Sequence, residues 1–270
     1  MFFAAAWKSW FPLIEGAAAT LTQRMIALGD VGAGQHVLDI GTGIGEPALT
    51  VARIVGPTGR VTAIDPDPEM IAFARERAAA AGISNVTFLV TRAEDLSIAT
   101  DSIDVTLCRW SLMFVDDAAA TLSQVRRLLR PRGRLVAATW LAPERVPVLS
   151  LARRVVHAHF GKPPPPQGLQ TAFALSDVAA LAQIFRRAGF ADIEQQTLSL
   201  TYGFLSAEDY VRFREDCTGS LFSGVGDVTA EERAQAYRAV ATALERFRTP
   251  DGMLRIPNET CCTVARRGDD

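Results

Sequence analysis

Between residues 36 and 140, short apolar runs alternate with helix-patterned stretches, and this alternation leaves few folds open to the chain. HVLDI (residues 36–40), RVTAID (residues 60–65), NVTFLVT, IDVTLCRW and GRLVAATW read as successive strands. The stretches between them read as helices. EPALTVARIVG carries Pro47 in its first turn, where a missing N–H costs nothing. PEMIAFARERAAAAG is closed by Gly82. DDAAATLSQVRRLLRPRG is amphipathic and is stopped by Pro131 and Gly133. Strands separated by helices imply a parallel sheet with helices on both faces. Ligands of such sheets sit at the carboxyl ends of the strands.

The flanks follow a different pattern. Residues 1–30 look helical, with Trp7, Trp10 and Phe11 at i, i+3 and i+4. After Trp140 the sequence predicts a helix near residues 148–160 and a stiff proline-rich connection. Next comes a helix capped by Ser176, with SDVAALAQIFRRAGF as its sequence. ADIEQQTLSLTYGF alternates as a strand should, and helical stretches fill 206–247. The tail GMLRIPNETCCTVARR reads as a last strand, with Pro257 pushing it towards an edge or a bulge.

Composition bounds the function. Hydrophobic residues make up 49% of the 270, ample for a buried core. A net charge of -2 gives no global attraction to nucleic acid or anionic membrane. The arginines are scattered among acids and read as solvated faces. Cys108, Cys217, Cys261 and Cys262 form no zinc-type spacing, so no metal is expected. Cys261 and Cys262 are expected to alternate across a strand. A chain of this size without a disulfide framework points to a reducing cytoplasm. The apolar N-terminus lacks a basic start and is interrupted by Lys8, against a signal peptide. No apolar run approaches membrane-spanning length.

The turn Gly41-Thr42-Gly43-Ile44-Gly45 frees backbone N–H groups at a helix N-terminus and lets a ligand approach the main chain. A dinucleotide fingerprint would need its third glycine one position later, where Glu46 stands. An acid there is a poor neighbour for a pyrophosphate. It does not oppose a phosphate-free cofactor with an amino-acid end and a sulfonium. Glu46 also reads as an ordinary acid at the head of a helix. Asp65, ending the second strand, can accept hydrogen bonds from both hydroxyls of a ribose. Its other reading is a helix cap, a role for which Asp67 is better placed.

VLDIGTGIGEPAL, VTAIDPDPEMIAFAR, AEDL, DSIDVTLCRWSLMFVDD and RRLLRPRGRLVAATW together resemble the successive motifs of class I S-adenosylmethionine-dependent methyltransferases. The resemblance covers about residues 33–140 and is nearest the ubiquinone/menaquinone-biosynthesis-like branch acting on small molecules. It implies an α/β fold: a Rossmann-like, mostly parallel seven-stranded sheet with helices on both faces. A helical lid (1–30), a cofactor-binding core (31–140) and a segment 141–270 would follow. The last of these would hold a mainly helical substrate cap with the last helix and strands of the sheet. Gly41, Thr42, Gly43 and Gly45 would line the methionine part of S-adenosylmethionine, with Asp39 holding the loop or a bridging water. Asp65 would bind the ribose, and Pro66 and Met70 would pack on the adenine. Ala93, through its N–H, and Glu94 would edge the ring. The Arg109 carbonyl would meet the methionine ammonium. Relatives often carry an Asp where Arg92 stands. Arg92 cannot accept from the adenine amine, so Glu94, a backbone carbonyl or water must.

Methyl transfer from a sulfonium needs positioning first, and a base only for a phenol or an acidic carbon. Along the helix near 148–160, Val148, Ala152, Val155 and His159 fall on one face, which makes His159 the candidate base. His157 falls on the other side with Arg153 and Ser150, towards water. His36 begins the first strand, far from the carboxyl ends. Trp110, Met113 and Phe114, with Trp7, Trp10 and Phe11, read either as an apolar box around a planar acceptor or as core packing. The expected partner is a small aromatic or apolar acceptor methylated on O, C or N, rather than nucleic acid. The sequence sets no oligomeric state. Two alternatives stand beside this reading: a protein that binds the cofactor without methyl transfer, and an NAD-dependent oxidoreductase.

Overall fold

A computed structural model describes residues 4–163 and 171–269. Residues 164–170, which hold most of the expected proline-rich connection, lie outside the described residues. The strands are β1 (His36–Ile40), β2 (Arg60–Asp65), β3 (Val86–Val90), β4 (Ile103–Arg109), β5 (Leu129–Trp140), β6 (Phe190–Phe204) and β7 (Leu254–Arg267). The helices are α1 (Ala4–Gly29), α2 (Ala48–Val55), α3 (Pro68–Ala80), α4 (Ala118–Leu128), α5 (Pro147–His159), α6 (Val178–Arg187), α7 (Ala207–Thr218) and α8 (Ala230–Leu244). They group into two compact units. One comprises Thr20–Leu141, Gly168–Leu198 and Thr260–Asp270; the other Met1–Ala19, Ala142–Gln167 and Ser199–Glu259.

The first unit is built on a seven-stranded sheet in the order β3-β2-β1-β4-β5-β7-β6. β1 to β5 pair in parallel, and β5 and β7 pair antiparallel, so the expected mostly parallel sheet is present. Right-handed crossovers put helices on opposite faces when strand order reverses direction, as it does between β1 and β4. On one side α2 and α3 bury Leu49, Val51, Val55, Ile71 and Ala74. On the other, Leu122, Val125 and Leu128 of α4 join Leu181 and Phe185 of α6 over Leu135 and Ala137. Burial on both faces explains why HVLDI is apolar without alternation. Asp39 breaks that pattern, and its role lies in the site.

Local signals settle several boundaries. Asp67 caps α3 by accepting from the Glu69 N–H at 2.8 Å, as its position predicts. Asp177, not the expected Ser176, caps α6, accepting from the Ala179 and Ala180 N–H groups. α4 ends at Leu128, short of Pro131. The chain is already extended at Leu129, which pairs with Ile103 before the register shifts. Pro131 disfavours helix for the residue before it. β7 is not an edge strand: it lies between β5 and β6. Its pairing with β5 begins at Thr260, so Pro257 removes no N–H from that ladder. Cys261 and Cys262 are both buried in β7, and all four cysteines are free.

The second unit packs α5 against α7 and α8. Tyr210 of α7 is fully buried there. Its hydroxyl donates to the Pro147 carbonyl at 3.1 Å and accepts from the Ala152 N–H at 3.2 Å, pinning α7 to the first turns of α5. Trp10 of α1 stands edge-on to Phe213 at 5.4 Å and donates from its indole nitrogen to Asp216 at 2.9 Å. Tyr210→Phe keeps the ring and deletes both bonds, so it should cost about 1–3 kcal/mol of stability. Urea unfolding followed by circular dichroism checks this.

Candidate functional site

The reversal of strand order between β1 and β4 opens a crevice at the carboxyl ends of the strands. The chain leaves β1 into the glycine turn and leaves β4 into Trp110 and Ser111. The two exits touch. A Cβ on Gly41 would stand 2.2 Å from Ser111 Cβ and 2.6 Å from its Oγ, and Gly41 has φ +72. Only glycine fits both constraints. Ser111 Oγ donates to the Ile40 carbonyl and meets Cys108 Sγ at 2.9 Å, which ties the two exits together. Gly41 and Thr42 both donate their N–H to the Ile64 carbonyl at 2.9 Å, anchoring the turn to β2. Gly43 differs: a Cβ there would meet nothing within 4 Å, so the turn presents bare main chain to open space.

Two carboxylates hold this turn from below. Asp65 Oδ2 accepts from the Gly43 N–H at 3.0 Å, and Oδ1 from the Asp67 N–H at 2.9 Å. Burial pushes the Asp65 carboxyl up from its ordinary range, against the pull of those two N–H groups. Asp39 is wholly buried, and its Oδ2 accepts from the Ala48 N–H at 3.1 Å, capping α2. Burial raises its pKa to about 7, opposed by the Thr42 hydroxyl, the Arg109 guanidinium and the Ala48 N–H. Asp39 Oδ1 and Thr42 Oγ1 complete no hydrogen bond of good geometry among the described residues, although the hydroxyl still favours the ionised carboxylate. Glu46 follows its bland reading. It accepts from the Thr50 hydroxyl at 2.8 Å and pairs with Arg77 at 3.1 Å.

The remaining expected cofactor residues are arranged around the same end of the sheet. Pro66 is exposed after β2, and Met70 is buried in α3, 4% accessible, so its side chain is packed rather than open. Ala93 is buried at the start of a short 3-10 turn, Ala93–Asp95. Glu94 accepts from the Asp116 N–H at 2.9 Å and stands 3.5 Å from Arg92, which also pairs with Asp116. That engagement leaves Glu94 less free to serve an adenine amine. Arg109 was expected to act through its carbonyl. Its guanidinium is the finding: buried, it donates to the Thr22 hydroxyl at 2.8 Å and to the Glu46 carbonyl at 3.3 Å. An arginine bridging the glycine turn corrects the reading of all arginines as solvated.

The aromatic and histidine expectations need correction. Trp110, at φ +55, stacks on Trp140 with centroids 4.3 Å apart and donates to Thr260 Oγ1 at 3.0 Å. Met113 is buried to 2% and belongs to the core; Phe114 is half-buried. Trp7 and Trp10 are half-buried in the other unit, with Trp10 held by Asp216 and Phe213. His159 is exposed and His157 is buried, the reverse of the expected faces. α8 and the loop after α7 cover the His157 side, while His159 is the last residue of α5. His157 Nδ1 and Nε2 face the carbonyls of Pro163 at 2.8 Å and Ser223 at 3.1 Å. His36 is tied to Ser102 and Thr62 at the start of β1. Ser111, Thr22 and Asp116 escaped sequence reasoning. Among the described residues no cluster of His, Cys, Asp and Glu could hold a metal ion.

Two outcomes follow from this geometry. Gly41→Ala should lose about 3 kcal/mol or more through strain and overlap, and adding Ser111→Gly should recover part of that loss. A double-mutant cycle in urea measures the recovery. Asp39 binds its proton more tightly in the folded chain than in the unfolded one. Its contribution therefore favours folding below pH 4 and fades as pH rises towards 7. Asp39→Asn, which keeps an acceptor for the Ala48 N–H, should flatten that decline. The gain at pH 8 should be roughly 4 kcal/mol at most, checked by urea midpoints from pH 4 to 8.

Residues 32–160 match the family of methyltransferase domains. The chain is 34% identical over 134 residues to a ubiquinone/menaquinone biosynthesis C-methyltransferase of Marinomonas sp., covering 49% of this chain and 53% of that one. It is 28% identical over 186 residues to the aklanonic acid methyltransferase of Streptomyces sp., covering 65% of this chain and 83% of that one. Among solved structures, Haemonchus contortus phosphoethanolamine N-methyltransferase 2 with S-adenosyl-L-methionine superposes with a TM-score of 0.58 at 19% identity. That match covers 92% of this chain and 52% of the other, a likeness of fold. The chain spans about half the length of the first of these relatives. The turn fits such a cofactor: bare main chain at Gly43 for its amino-acid end and the Asp65 carboxylate at the end of β2 for its sugar. Residues 32–160 thus match a methyltransferase domain in sequence, and the chain shares its fold with solved methyltransferases.

Proposed function

We propose that the protein transfers a methyl group from S-adenosylmethionine to an O, C or N atom of a small aromatic or apolar molecule. One observation carries this reading: Gly43 stands open at the switch point, with Asp65 fixed beneath it by two backbone N–H groups. Each Asp65 oxygen keeps acceptor capacity for a ribose hydroxyl. Gly41, Thr42, Gly43 and Gly45 line the methionine end, and Asp39 holds the turn through Ala48. Pro66 flanks the adenine; Ala93 and Glu94 edge it; the Arg109 carbonyl receives the ammonium. Arg109 also braces the turn through the Glu46 carbonyl.

The cofactor supplies a methyl group on a sulfonium, already activated. The protein's part is to hold the acceptor in line and exclude water, which is worth ~7–11 kcal/mol at best. This reading assigns no base. His159 is exposed and His157 is committed to two carbonyls. Among the expected acceptor residues of the first unit, Trp110 and Phe114 are half-exposed and serve this role best. The acceptor class is supported by relatives named for quinone biosynthesis and for aklanonic acid, and points towards secondary metabolism. Net charge of -2 favours a small molecule over nucleic acid. No described helix is long and apolar enough to cross a membrane, and four free thiols suit a cytoplasmic setting.

Incubation with methyl-labelled S-adenosylmethionine and a panel of phenols and quinols tests the activity, with label expected on at least one acceptor. Cofactor binding without transfer to any member would count against it. Asp65→Ala should weaken S-adenosylmethionine binding by ~1.5–3 kcal/mol, the range for hydrogen bonds to a charged group. Titration calorimetry showing unchanged affinity would remove Asp65 from the ribose.

A further inference from the structure

The second unit holds a buried cation that no carboxylate balances among the described residues. Arg214 of α7 is 4% accessible. Its Nη2 donates to the Leu149 carbonyl of α5 at 2.9 Å, while its Nε and Nη1 have no partner among the described residues. Leu149 and Arg153 lie one helical turn apart, so Arg153 falls on the same stripe of α5. Arg153 Nη2 reaches the Ser220 carbonyl at 3.4 Å, and its buried Nε is likewise unpartnered. Two guanidinium groups thus stand within electrostatic range of each other, with three buried nitrogens unpartnered among the described residues.

The neighbouring acids of α7 are spent elsewhere. Glu215 accepts from the Tyr237 hydroxyl at 2.8 Å, and Asp216 from the Trp10 indole at 2.9 Å. Among the described residues no carboxylate pairs with Arg214, and its strongest charged or ionisable neighbours include Tyr210, Cys217 and Arg153. Tyr210 and Cys217 are each pushed up to about 12 by burial, so neither supplies negative charge near neutrality. A buried guanidinium is otherwise paired or coordinated. Arginine's planar fork matches a carboxylate.

We propose that Arg214 and Arg153 form a binding site for the carboxylate group of a small organic molecule, between α5 and α7. Arg153, half-exposed, receives the carboxylate from the surface, and Arg214 takes it at the inner end. The site lies wholly within the second unit and does not depend on the methyl-transfer reading.

4-Bromobenzoate is the probe, measured by titration calorimetry at fixed ionic strength in sodium chloride, with 4-bromobenzamide as the uncharged control. The wild type should bind the acid and not the amide. Arg214→Met and Arg153→Met should each weaken binding by about tenfold or more. Arg153→Met, at a half-exposed position, guards against a folding defect in Arg214→Met. A crystal soaked with 4-bromobenzoate should show an anomalous bromine peak between α5 and α7. Equal binding of acid and amide, no binding of either, or unchanged affinity in a folded Arg153→Met variant would overturn the proposal. Unused N–H groups hydrated by ordered water in a crystal soaked with the acid would do the same.

Discussion

The contact between Gly41 and Ser111 governs the geometry of the first unit's working end. Two strands that diverge in connectivity must end side by side, and the chain leaving each must turn away at once. Ser111 fills the place a side chain on residue 41 would need, then uses its hydroxyl to hold the last carbonyl of β1. The glycine turn is thereby pressed onto β2, whose Ile64 carbonyl takes two of its N–H groups. Of the three glycines of the turn, Gly43 alone has nothing within 4 Å where a Cβ would stand, while its N–H is held by Asp65. Openness at one residue is bought by crowding at another, two positions away.

Charge inside the two units is handled in contrasting ways. Asp39 sits at the centre of the first unit with one oxygen spent on α2 and Arg109 within electrostatic reach. Arg109 in turn divides its donors between Thr22 and the Glu46 carbonyl. Buried acid and buried base there support one local structure. Among the described residues Arg214 has no such counterpart; it meets a carbonyl and lies near a second arginine. Burying a cation without a carboxylate is costly, which is why such a group points beyond the fold to something it holds.

How much of this was readable in the sequence depended on whether the cause was local. β1 and β2 were legible because burial on both faces leaves uninterrupted apolar runs, and the cap at Asp67 because one side chain reaches its own helix. The cap of α6 was placed one residue early, since Ser176 and Asp177 are both good caps and only the turn geometry chooses between them. The faces of α5 were inverted because a loop more than sixty residues away closes over His157. No periodicity within α5 carries that information. The same holds for the interior place of β7 and for the burial of Arg109 and Arg214: each is set by a distant segment. The glycine turn and Asp65 were legible as a site, whereas Ser111, which shapes it, looked like any other serine.

The stack of Trp110 on Trp140 has a spectroscopic consequence. Two indoles 4.3 Å apart and tilted by only 12° share their electronic transitions, so they absorb as a coupled pair instead of as separate chromophores. Where the two in-plane transition moments are skewed, coupling of that kind produces a paired positive and negative band in ultraviolet circular dichroism. Because Trp110 directly follows β4, beside the crevice, the chain carries its own optical gauge of whether that end of the sheet is properly assembled.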